Sequence, residues 1–454
     1  MTSPRIAFSL TLAALALTAT PAAADPVPLL ASRTAESVAV SGSDVIVSRS
    51  ARGGVRVDAL PSQGGSPRRL LTLPPRGRRW NALTFVAASP ERVALIVALD
   101  HVDKHTAIPD HEQWRLYSGP PAGPLTLVER SGPAGFPPAD VAVDGDRMFV
   151  AEANFTELFT RARFFDPGAA PRELSWPGDV FPPVALAGGH AAFIGTRTQT
   201  TAADKADLFV VDPTSGAVQS RIHIDGTGTL FDLAPDGHVV AEGNRGLFTA
   251  GAGLPRTPLS GGEFMTSPTF AGTAVAGFER RDAGTLTPAV VDPGAGQARA
   301  LGMPSFASFA IAADAETVAW IAHSCVFSSP VAGPSPQEPP AGPCPRSEAS
   351  VDNFDTVMVG RRVRLTVTCV AAPASGCRGT VVVRHRGAGA GRKRFRVPSG
   401  EQRDIDLRLS KRAARFVRDR VRHRGHVVLN ARTHVTDGGP AQNGIVFLDR
   451  VRGA

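Results

Sequence analysis

The sequence predicts a nearly all-β protein: a β-propeller, with seven blades, followed by a small C-terminal β-sandwich that carries one short helix. Three observations predict it: a repeat with a period of about 45 residues, turn-forming residues along the whole chain, and a sharp change of charge near residue 350. The chain has 46 glycines and 39 prolines, which suit short strands joined by tight turns. At 454 residues it is too long for a single ordinary core.

The first 24 residues have the pattern of a secretory signal peptide. Arg5 supplies one positive charge, residues 6–19 are apolar, and Ala22 and Ala24 provide small residues before a cleavage point. The apolar run is too short to cross a ~30 Å hydrocarbon core as a helix, which argues against a membrane anchor. We therefore expect a signal peptide over 1–24, a propeller over 25–350 and a basic sandwich over 351–454, in a secreted protein with no transmembrane segment.

The repeat consists of an aromatic residue, a short apolar strand, a tight turn and a second apolar strand. The clearest copies are Phe136–Ala151, with its turn at Asp144-Gly145-Asp146, and Phe181–Ile194. Blades are predicted to begin near residues 34, 80, 136, 181, 229, 264 and 306. A two-sheet sandwich or a β-helix is the alternative, but the long period and the absence of hexapeptide repeats disfavour both.

The last predicted blade has two clear strands, a weak third at Arg346–Val351, and no fourth strand on its C-terminal side. We expect Pro28–Ser32, near the N-terminus, to supply the missing strand. Closing the ring with a terminal strand removes exposed sheet edges.

Residues 34–350 resemble the TolB-like and WD-repeat-like propellers of secreted bacterial proteins. The resemblance rests on the period and on three turns, Val143-Asp144-Gly145-Asp146, Ala234-Pro235-Asp236-Gly237 and Ala88-Ser89-Pro90-Glu91. It implies a fold and not a reaction.

The four cysteines are interpreted as two disulfides, because an even number in an exported chain favours cross-links. Cys325–Cys344 and Cys369–Cys377 are the favoured pairs, since each closes a local loop. Zinc binding by these cysteines is disfavoured, because they lack close spacing and neighbouring histidines.

The basic charge of the chain is concentrated at its C-terminal end. Residues 350–454 contain 22 arginines and lysines and eight aspartates and glutamates, a net charge of +14, whereas the whole chain carries +8. Residues 1–349 are therefore acidic overall, with a net charge of −6. Strands such as Val363–Thr368 and Val427–Ala431 alternate in polarity, which predicts one wet face and one buried face.

A short amphipathic helix is predicted between Ser410, a suitable N-cap, and Gly425, a suitable end. Packing on the sandwich is the simpler interpretation of its apolar side. The alternative is that the helix binds a polyanion or a membrane surface through its basic side. That side consists of Arg412, Arg415, Arg418 and Arg422.

The C-terminal segment also resembles a small cysteine-loop β-sandwich found at the C-termini of secreted proteins of high-GC Gram-positive bacteria. The matching motifs are Cys369–Thr380, in which seven residues separate the cysteines before Arg378-Gly379, and Leu409–Arg415. The resemblance implies an extracellular accessory domain.

One segment is rich in potential metal ligands. Three histidines and four carboxylates lie between Asp100 and Glu112, and imidazole with carboxylate can bind zinc or another divalent ion. The candidate ligands are His101, Asp103, His105 and His111. The alternative is a solvated loop between the second and third strands of blade 2.

No motif supports nucleophilic catalysis or nucleotide binding, because GxSxG, GxGxxG and GxxxxGK[ST] are all absent. We expect no cofactor and no nucleic-acid partner, and a monomeric chain. The loops joining second to third strands are polar in most blades and lie on one face, which is the best location for a binding site. The alternative is that these loops are polar because they are exposed to solvent. The sequence thus favours a non-catalytic extracellular binding or scaffold protein that contacts a protein, a small ligand or an anionic cell-envelope polymer. A secreted hydrolase or lyase with a metal in the His101–His111 loop is the alternative.

Overall fold

Seven four-stranded antiparallel sheets and one eight-stranded sheet make up the computed structural model. The structure describes residues 26–32, 34–77, 80–101, 110–130, 138–154, 159–196, 206–224, 229–251, 254–281, 285–306, 310–322, 325–333, 335, 344, 347–351, 353–370, 376–385, 388–436 and 441–452. The predicted signal peptide lies outside these residues. No helix in the described ranges is both long and apolar enough to cross a membrane.

The first three blades each contain four strands that follow one another in sequence. Their strands are β2 (Ala35–Ser41), β3 (Asp44–Ala51), β4 (Gly54–Pro61) and β5 (Arg68–Leu73); β6 (Trp80–Ala88), β7 (Val93–His101), β8 (Asp110–Gly119) and β9 (Thr126–Arg130); and β10 (Pro138–Asp144), β11 (Arg147–Asn154), β12 (Phe159–Phe165) and β13 (Arg172–Glu173).

Blades 4 to 6 repeat the arrangement. Their strands are β14 (Val180–Ala187), β15 (His190–Gly195), β16 (Asp207–Val211) and β17 (Val218–His223); β18 (Phe231–Leu233), β19 (Val239–Gly243), β20 (Gly246–Gly251) and β21 (Leu254–Pro258); and β22 (Met265–Ala271), β23 (Ala274–Arg281), β24 (Thr285–Val291) and β25 (Ala298–Ala300). The first strands begin within a few residues of the predicted blade starts, so the seven-bladed propeller is confirmed.

The seventh blade is completed by the N-terminal strand, as predicted. It contains β26 (Ile311–Ala313), β27 (Thr317–Ala322) and β28 (Cys325–Pro330), and β1 (Val27–Ala31) pairs antiparallel with β28. The predicted third strand at Arg346–Val351 is wrong. Cys325–Pro330 takes that place because Val326 and Phe327 are buried between blades, while Glu348–Ser350 pairs with a C-terminal strand instead.

Apolar side chains fill the spaces between neighbouring blades. Between blades 3 and 4, Phe149 stacks on Phe164 with ring centroids 4.5 Å apart and meets Phe193 edge-on at 6.4 Å. Phe193 in turn stacks on Phe209 of its own blade at 5.9 Å. All four rings are fully buried, so the blades are held together by packing between their faces as well as by hydrogen bonds within each sheet.

The C-terminal domain is built from the eight-stranded sheet and the helix. Its elements are β29 (Glu348–Ser350), β30 (Asn353–Val359), β31 (Arg362–Val370), β32 (Cys377–His385), β33 (Ala388–Val397), β34 (Gln402–Arg408), α1 (Lys411–Arg424), β35 (Val427–Val435) and β36 (Gln442–Arg452). Hydrogen bonds link all eight strands, β30 and β36 pair in parallel, and β33 also contacts β34, so the sheet curls around one core. Alternate residues of β35 are buried and exposed, as the sequence predicts.

Helix α1 has the predicted ends. The Ser410 side chain accepts a hydrogen bond from the Ala413 N–H, and Gly425 adopts the left-handed conformation, with φ 76°, that ends the helix. Ala414 and Val417 are fully buried against the sheet, which confirms the interpretation that the helix packs on it.

Both predicted disulfides are present. Cys325–Cys344 and Cys369–Cys377 each have a Cα–Cα distance of 5.8 Å. The first lies in the apolar core shared by blades 6 and 7, and the second lies in the core of the C-terminal domain.

Candidate functional site

The propeller has one face on which the first strand of each blade begins and the second strand ends. We call it the upper face; the antiparallel order also places there the connections from second to third strands. The connections of blades 1 and 5, at residues 52–53 and 244–245, fall where the sequence predicts polar loops. This face was proposed from the sequence as the location for a ligand, so its charged groups determine what could bind there.

Two aspartates near the beginnings of first strands join neighbouring blades. Asp140 of blade 3 accepts a hydrogen bond from the Val184 N–H of blade 4 at 2.9 Å. Asp232 of blade 5 accepts one from the Phe270 N–H of blade 6 at 2.7 Å. Burial raises the pKa of Asp140 to about 6 and raises that of Asp232, against the opposing effect of these backbone donors.

Blades 1 and 2 are joined in a similar way. The Ser37 Oγ accepts a hydrogen bond from the Val86 N–H at 3.0 Å, and the Glu36 carboxylate accepts one from the Thr84 Oγ1 at 2.9 Å. Burial raises the pKa of Glu36, although hydrogen bonds from hydroxyl groups oppose that effect. Since these inner carboxylates are already engaged between blades, we interpret them as parts of the blade contacts.

Arginine and carboxylate side chains form ion-pair clusters on the sheets of blades 3 and 4. In blade 3, the buried Glu152 contacts Arg161 and Arg163, and Arg163 also lies 2.8 Å from Glu129 of blade 2. In blade 4, Asp207 pairs with Arg221 at 2.5 Å. The numbers of arginines and carboxylates are equal in both clusters.

Blade 1 contains a cluster in which positive charge is in excess. Asp58, which is fully buried, contacts Arg49, Arg56 and Arg69 from three adjacent strands. Burial alone would raise the pKa of Asp58, but the three guanidinium groups outweigh it and hold the pKa below its usual value. Asp58 is therefore a carboxylate, and the cluster retains two uncompensated positive charges.

A groove with a volume of about 270 Å³ lies beside this cluster. Its walls come from the ends of strands at the upper face: Thr34, Arg49, Ser50, Ala51, Gly54, Val55, Arg56, Thr72, Leu73 and Pro75. Gly54 allows two of these walls to approach each other closely, because a Cβ there would lie 2.8 Å from the Pro75 nitrogen. Two arginines, three hydroxyl groups and several apolar side chains thus share one concave surface.

No local motif in the sequence marks this cluster. Arg49, Asp58 and Arg69 are spread over 21 positions and meet only because Val47 pairs with Asp58, and Asp58 with Arg69, across adjacent strands. An alternation of charge in β4, at Arg56 and Asp58, was the only local signal.

The predicted metal ligands fall largely outside the described residues. Asp103 and His105 lie in the undescribed segment 102–109, whereas the backbones of His101 and His111 lie at adjoining ends of β7 and β8. The Cα partner of His111 is Asp100, and that of His101 is Asp110. Within the described part of the chain, no three histidine, cysteine, aspartate or glutamate side chains are grouped as metal ligands would be.

The predicted basic side of α1 faces solvent. Arg412, Arg415 and Arg422 are exposed, and Arg418 is half-buried. Arg420, which was not among the predicted residues, stacks on Phe416 with its guanidinium carbon 5.5 Å from the ring centroid. Arg412, Arg415 and Arg422 therefore lie on the side of the helix away from Ala414 and Val417, together with the exposed Asp419.

Comparisons with known proteins give similarities in structure only. No family model matches the sequence, and no curated protein matches it. The structure is similar to that of puromycin hydrolase, with 16% identity and a TM-score of 0.44 over 74% of this chain and 59% of that chain. It is also similar to the tricorn protease, with 11% identity and a TM-score of 0.32 over 90% of this chain and 44% of that chain. A third similar structure is the uncharacterized protein lmo1340 from Listeria monocytogenes EGD-e, with 10% identity and a TM-score of 0.42 over 64% of this chain and 90% of that chain. This chain thus spans about three fifths of the puromycin hydrolase chain.

Proposed function

We propose that the protein is a non-catalytic extracellular binding or scaffold protein whose basic C-terminal domain contacts anionic polymers of the cell envelope. The upper face of its propeller would bind a protein or a small ligand. The observation that carries the proposal is the net charge of +14 on residues 350–454, opposite in sign to the rest of the chain. A surplus of this size attracts polyanions through the summed field of the domain.

The arrangement of the charges supports this function. Among the described residues of the domain, only Arg364 and Arg450 lie within 4 Å of a carboxylate, at 3.7 Å from Asp406 and 3.4 Å from Asp449. The exposed arginines of α1 and the exposed residues Arg392, Arg394 and Arg396 of β33 have no carboxylate so close in this part of the structure. Their charge is therefore available to an external partner.

The helix is the surface that we propose as the polymer contact. Arg412, Arg415, Arg418 and Arg422 lie on one side of a capped helix that is fixed to the sheet by Ala414 and Val417. Because the helix backbone is fixed, the arginines keep a constant spacing, and only their side chains lose conformational entropy when phosphates or carboxylates of a polymer bind to them.

The proposal also includes secretion of the chain, the family of its propeller and the boundary between its two domains. Secretion after cleavage behind residue 24, membership of the TolB-like propellers and a cysteine-loop accessory domain after residue 350 are each supported by the motifs in the sequence. The two disulfides and the lack of a membrane-spanning helix in the described ranges agree with an extracellular location.

A sedimentation assay with insoluble Gram-positive cell walls tests the proposal. The purified chain should co-sediment with the walls at about 50 mM NaCl and be released at about 500 mM. At the higher concentration, salt screens the attraction between charges that are more than a few ångströms apart. Walls stripped of their anionic polymers by acid should not retain it. A protein that stays in solution with intact walls at the lower salt concentration would contradict the function.

Two variants with the same loss of charge locate the contact. Arg412→Gln, Arg415→Gln and Arg422→Gln together should weaken wall binding at least about tenfold. The combination of Arg392→Gln, Arg394→Gln and Arg396→Gln on β33 should weaken it much less. Equal losses would show that only the total charge matters and that α1 is not the contact.

The alternative function is a hydrolase or lyase that uses a metal in the His101–His111 loop. It is favoured by one observation, the adjoining ends of β7 and β8, which bring the backbones of His101 and His111 to neighbouring positions. A rise in melting temperature with Zn²⁺ or Ni²⁺ that His101→Ala with His105→Ala abolishes would support the metal site. No rise in the native protein would dismiss it.

A further inference from the structure

We propose that the groove of blade 1 is a binding site for a phosphate monoester, held by Arg49 and Arg56. The inference deepens the proposed function, since it rests on the upper face being the binding face and names the class of ligand. It depends on three features: the surplus of charge around Asp58, an unsatisfied donor on Arg49, and the lining of the groove.

The surplus of charge distinguishes blade 1 from the other clusters. In blade 3, Arg161 and Arg163 are balanced by Glu152 and Glu129, and in blade 4 Arg221 is balanced by Asp207. In blade 1, Asp58 alone faces three arginines. A structural ion pair has no need of the two additional cations, whereas a dianion in the groove would neutralise them.

The two arginines beside the groove are direct cross-strand partners. Arg49 of β3 pairs with Arg56 of β4, and like charges directly opposite each other destabilise a sheet. Asp58 offsets part of this repulsion: its carboxylate lies 3.0 Å from the Arg56 Nε and contacts the Arg49 guanidinium. An anion between Arg49 and Arg56 would offset the remainder.

One guanidinium nitrogen of Arg49 is unpaired. The Arg49 side chain is 18% exposed, and its buried Nε lacks a hydrogen-bond partner among the described residues, as does the Nε of Arg163 in blade 3. Leaving a buried charged donor unpaired is costly, so such groups generally have a function or a ligand. Arg56, at 45% side-chain exposure, is open to solvent on the same groove.

The lining of the groove specifies the class of ligand. Guanidinium groups bind phosphate oxygens in pairs, and the hydroxyl groups of Thr34 and Thr72 provide further donors, whereas the Ser50 hydroxyl already donates to Glu36. A phosphate monoester near neutral pH carries the two charges that the cluster lacks. Because the groove also includes Val55, Leu73 and Pro75, it has room and apolar surface for a small organic substituent, which favours an ester over free phosphate.

Calorimetric titration of the full chain with glycerol 3-phosphate tests the site. Arg56→Gln should weaken binding at least about tenfold, while its neighbours Arg49 and Arg69 continue to hold Asp58. The matched control is Arg68→Gln, which removes the same charge from the same blade, at 44% exposure, but pairs with Asp44 at the opposite end of the sheet. Inorganic phosphate should bind more weakly than the ester, and acetate more weakly still.

Two results would overturn the proposal: no binding of glycerol 3-phosphate above that of acetate, or equal losses with Arg56→Gln and Arg68→Gln. Thermal melting of Arg56→Gln without ligand verifies that the variant is folded. The variant with three glutamines on α1 separates this site from the polymer contact. It should lose wall binding and keep glycerol 3-phosphate binding, and loss of both would place the ester on the C-terminal domain.

Discussion

Glu348 provides the most direct test of how the propeller and the C-terminal domain are joined. It lies in β29 of the C-terminal sheet and is fully buried. Its Oε2 accepts hydrogen bonds from the Ser305 Oγ and the Phe306 N–H, both at 3.0 Å, in the segment before blade 7. Its Oε1 lies 3.4 Å from the Nε2 of Gln442, so one carboxylate connects both domains. We predict that Glu348→Ala uncouples their unfolding.

The expected magnitude follows from the two hydrogen bonds to the propeller. Each bond to a charged acceptor contributes about 1.5–3 kcal/mol, and both are lost when the carboxylate is removed. The Ser305 hydroxyl and the Phe306 N–H are also left without that acceptor in a buried region. The coupling between the domains should therefore fall by about 3–6 kcal/mol. Glu348→Gln keeps an oxygen acceptor and should lose less than half of that amount.

The two domains can be followed separately by spectroscopy. All four tryptophans, Trp80, Trp114, Trp176 and Trp320, belong to the propeller, whereas the helix lies in the C-terminal domain. In urea, tryptophan fluorescence and helical circular dichroism should give coincident transitions for the native chain and separate ones for Glu348→Ala. Glu401→Ala, which removes an exposed glutamate of the same domain, is the control and should leave them coincident. Coincident transitions at an unchanged midpoint in Glu348→Ala would refute the reasoning.

Two other predictions concern the propeller. The pKa of Asp140 is raised from 3.8 to about 6 in the folded protein, so the protonated carboxyl group stabilises the folded state. This contribution to the free energy of unfolding, up to about 3 kcal/mol, is complete below about pH 4 and is lost as the pH rises through 6. Asp140→Asn can still accept a hydrogen bond from the Val184 N–H. In urea titrations it should make the free energy of unfolding depend less on pH between pH 4 and 7. An unchanged pH dependence would exclude Asp140 as the source of that dependence. Replacing Cys325 and Cys344 together by alanine opens a loop of 19 residues and should lower the free energy of unfolding by about 3 kcal/mol, while a native-like midpoint in the same titration would contradict a stabilising role.

Much of the fold could be predicted from the sequence because its signals are local. In each blade, the first strand, the turn and the second strand together span about twenty residues. Turns such as Asp144–Asp146 form without a distant partner. The third strand of blade 7 was missed because Ser328 and Ser329 make it look polar. Both serines are buried, and the Ser328 hydroxyl donates a hydrogen bond to the Ser62 carbonyl in blade 1.

The groove of blade 1 could not be predicted for the opposite reason. Arg49, Arg56 and Arg69 come together only through the register of three strands, and an arginine-rich sequence offers many similar combinations. In the same way, Glu348 lies at the end of a proline-rich stretch that gives no indication of a buried carboxylate.

In an arginine-rich chain, the balance of charge is a better guide to a binding surface than the presence of arginine. An exposed ion pair contributes little to stability, and burying one has a desolvation cost, so balanced clusters such as Glu152 with its arginines need no external partner. A cluster with an excess of positive charge has the same desolvation cost, and its arginines also repel one another. The groove of blade 1 and the side of α1 carry such surpluses, one within a concave site and the other along a convex helix. Their shapes suit different partners: a small dianion fits the groove, and an extended polymer fits the helix.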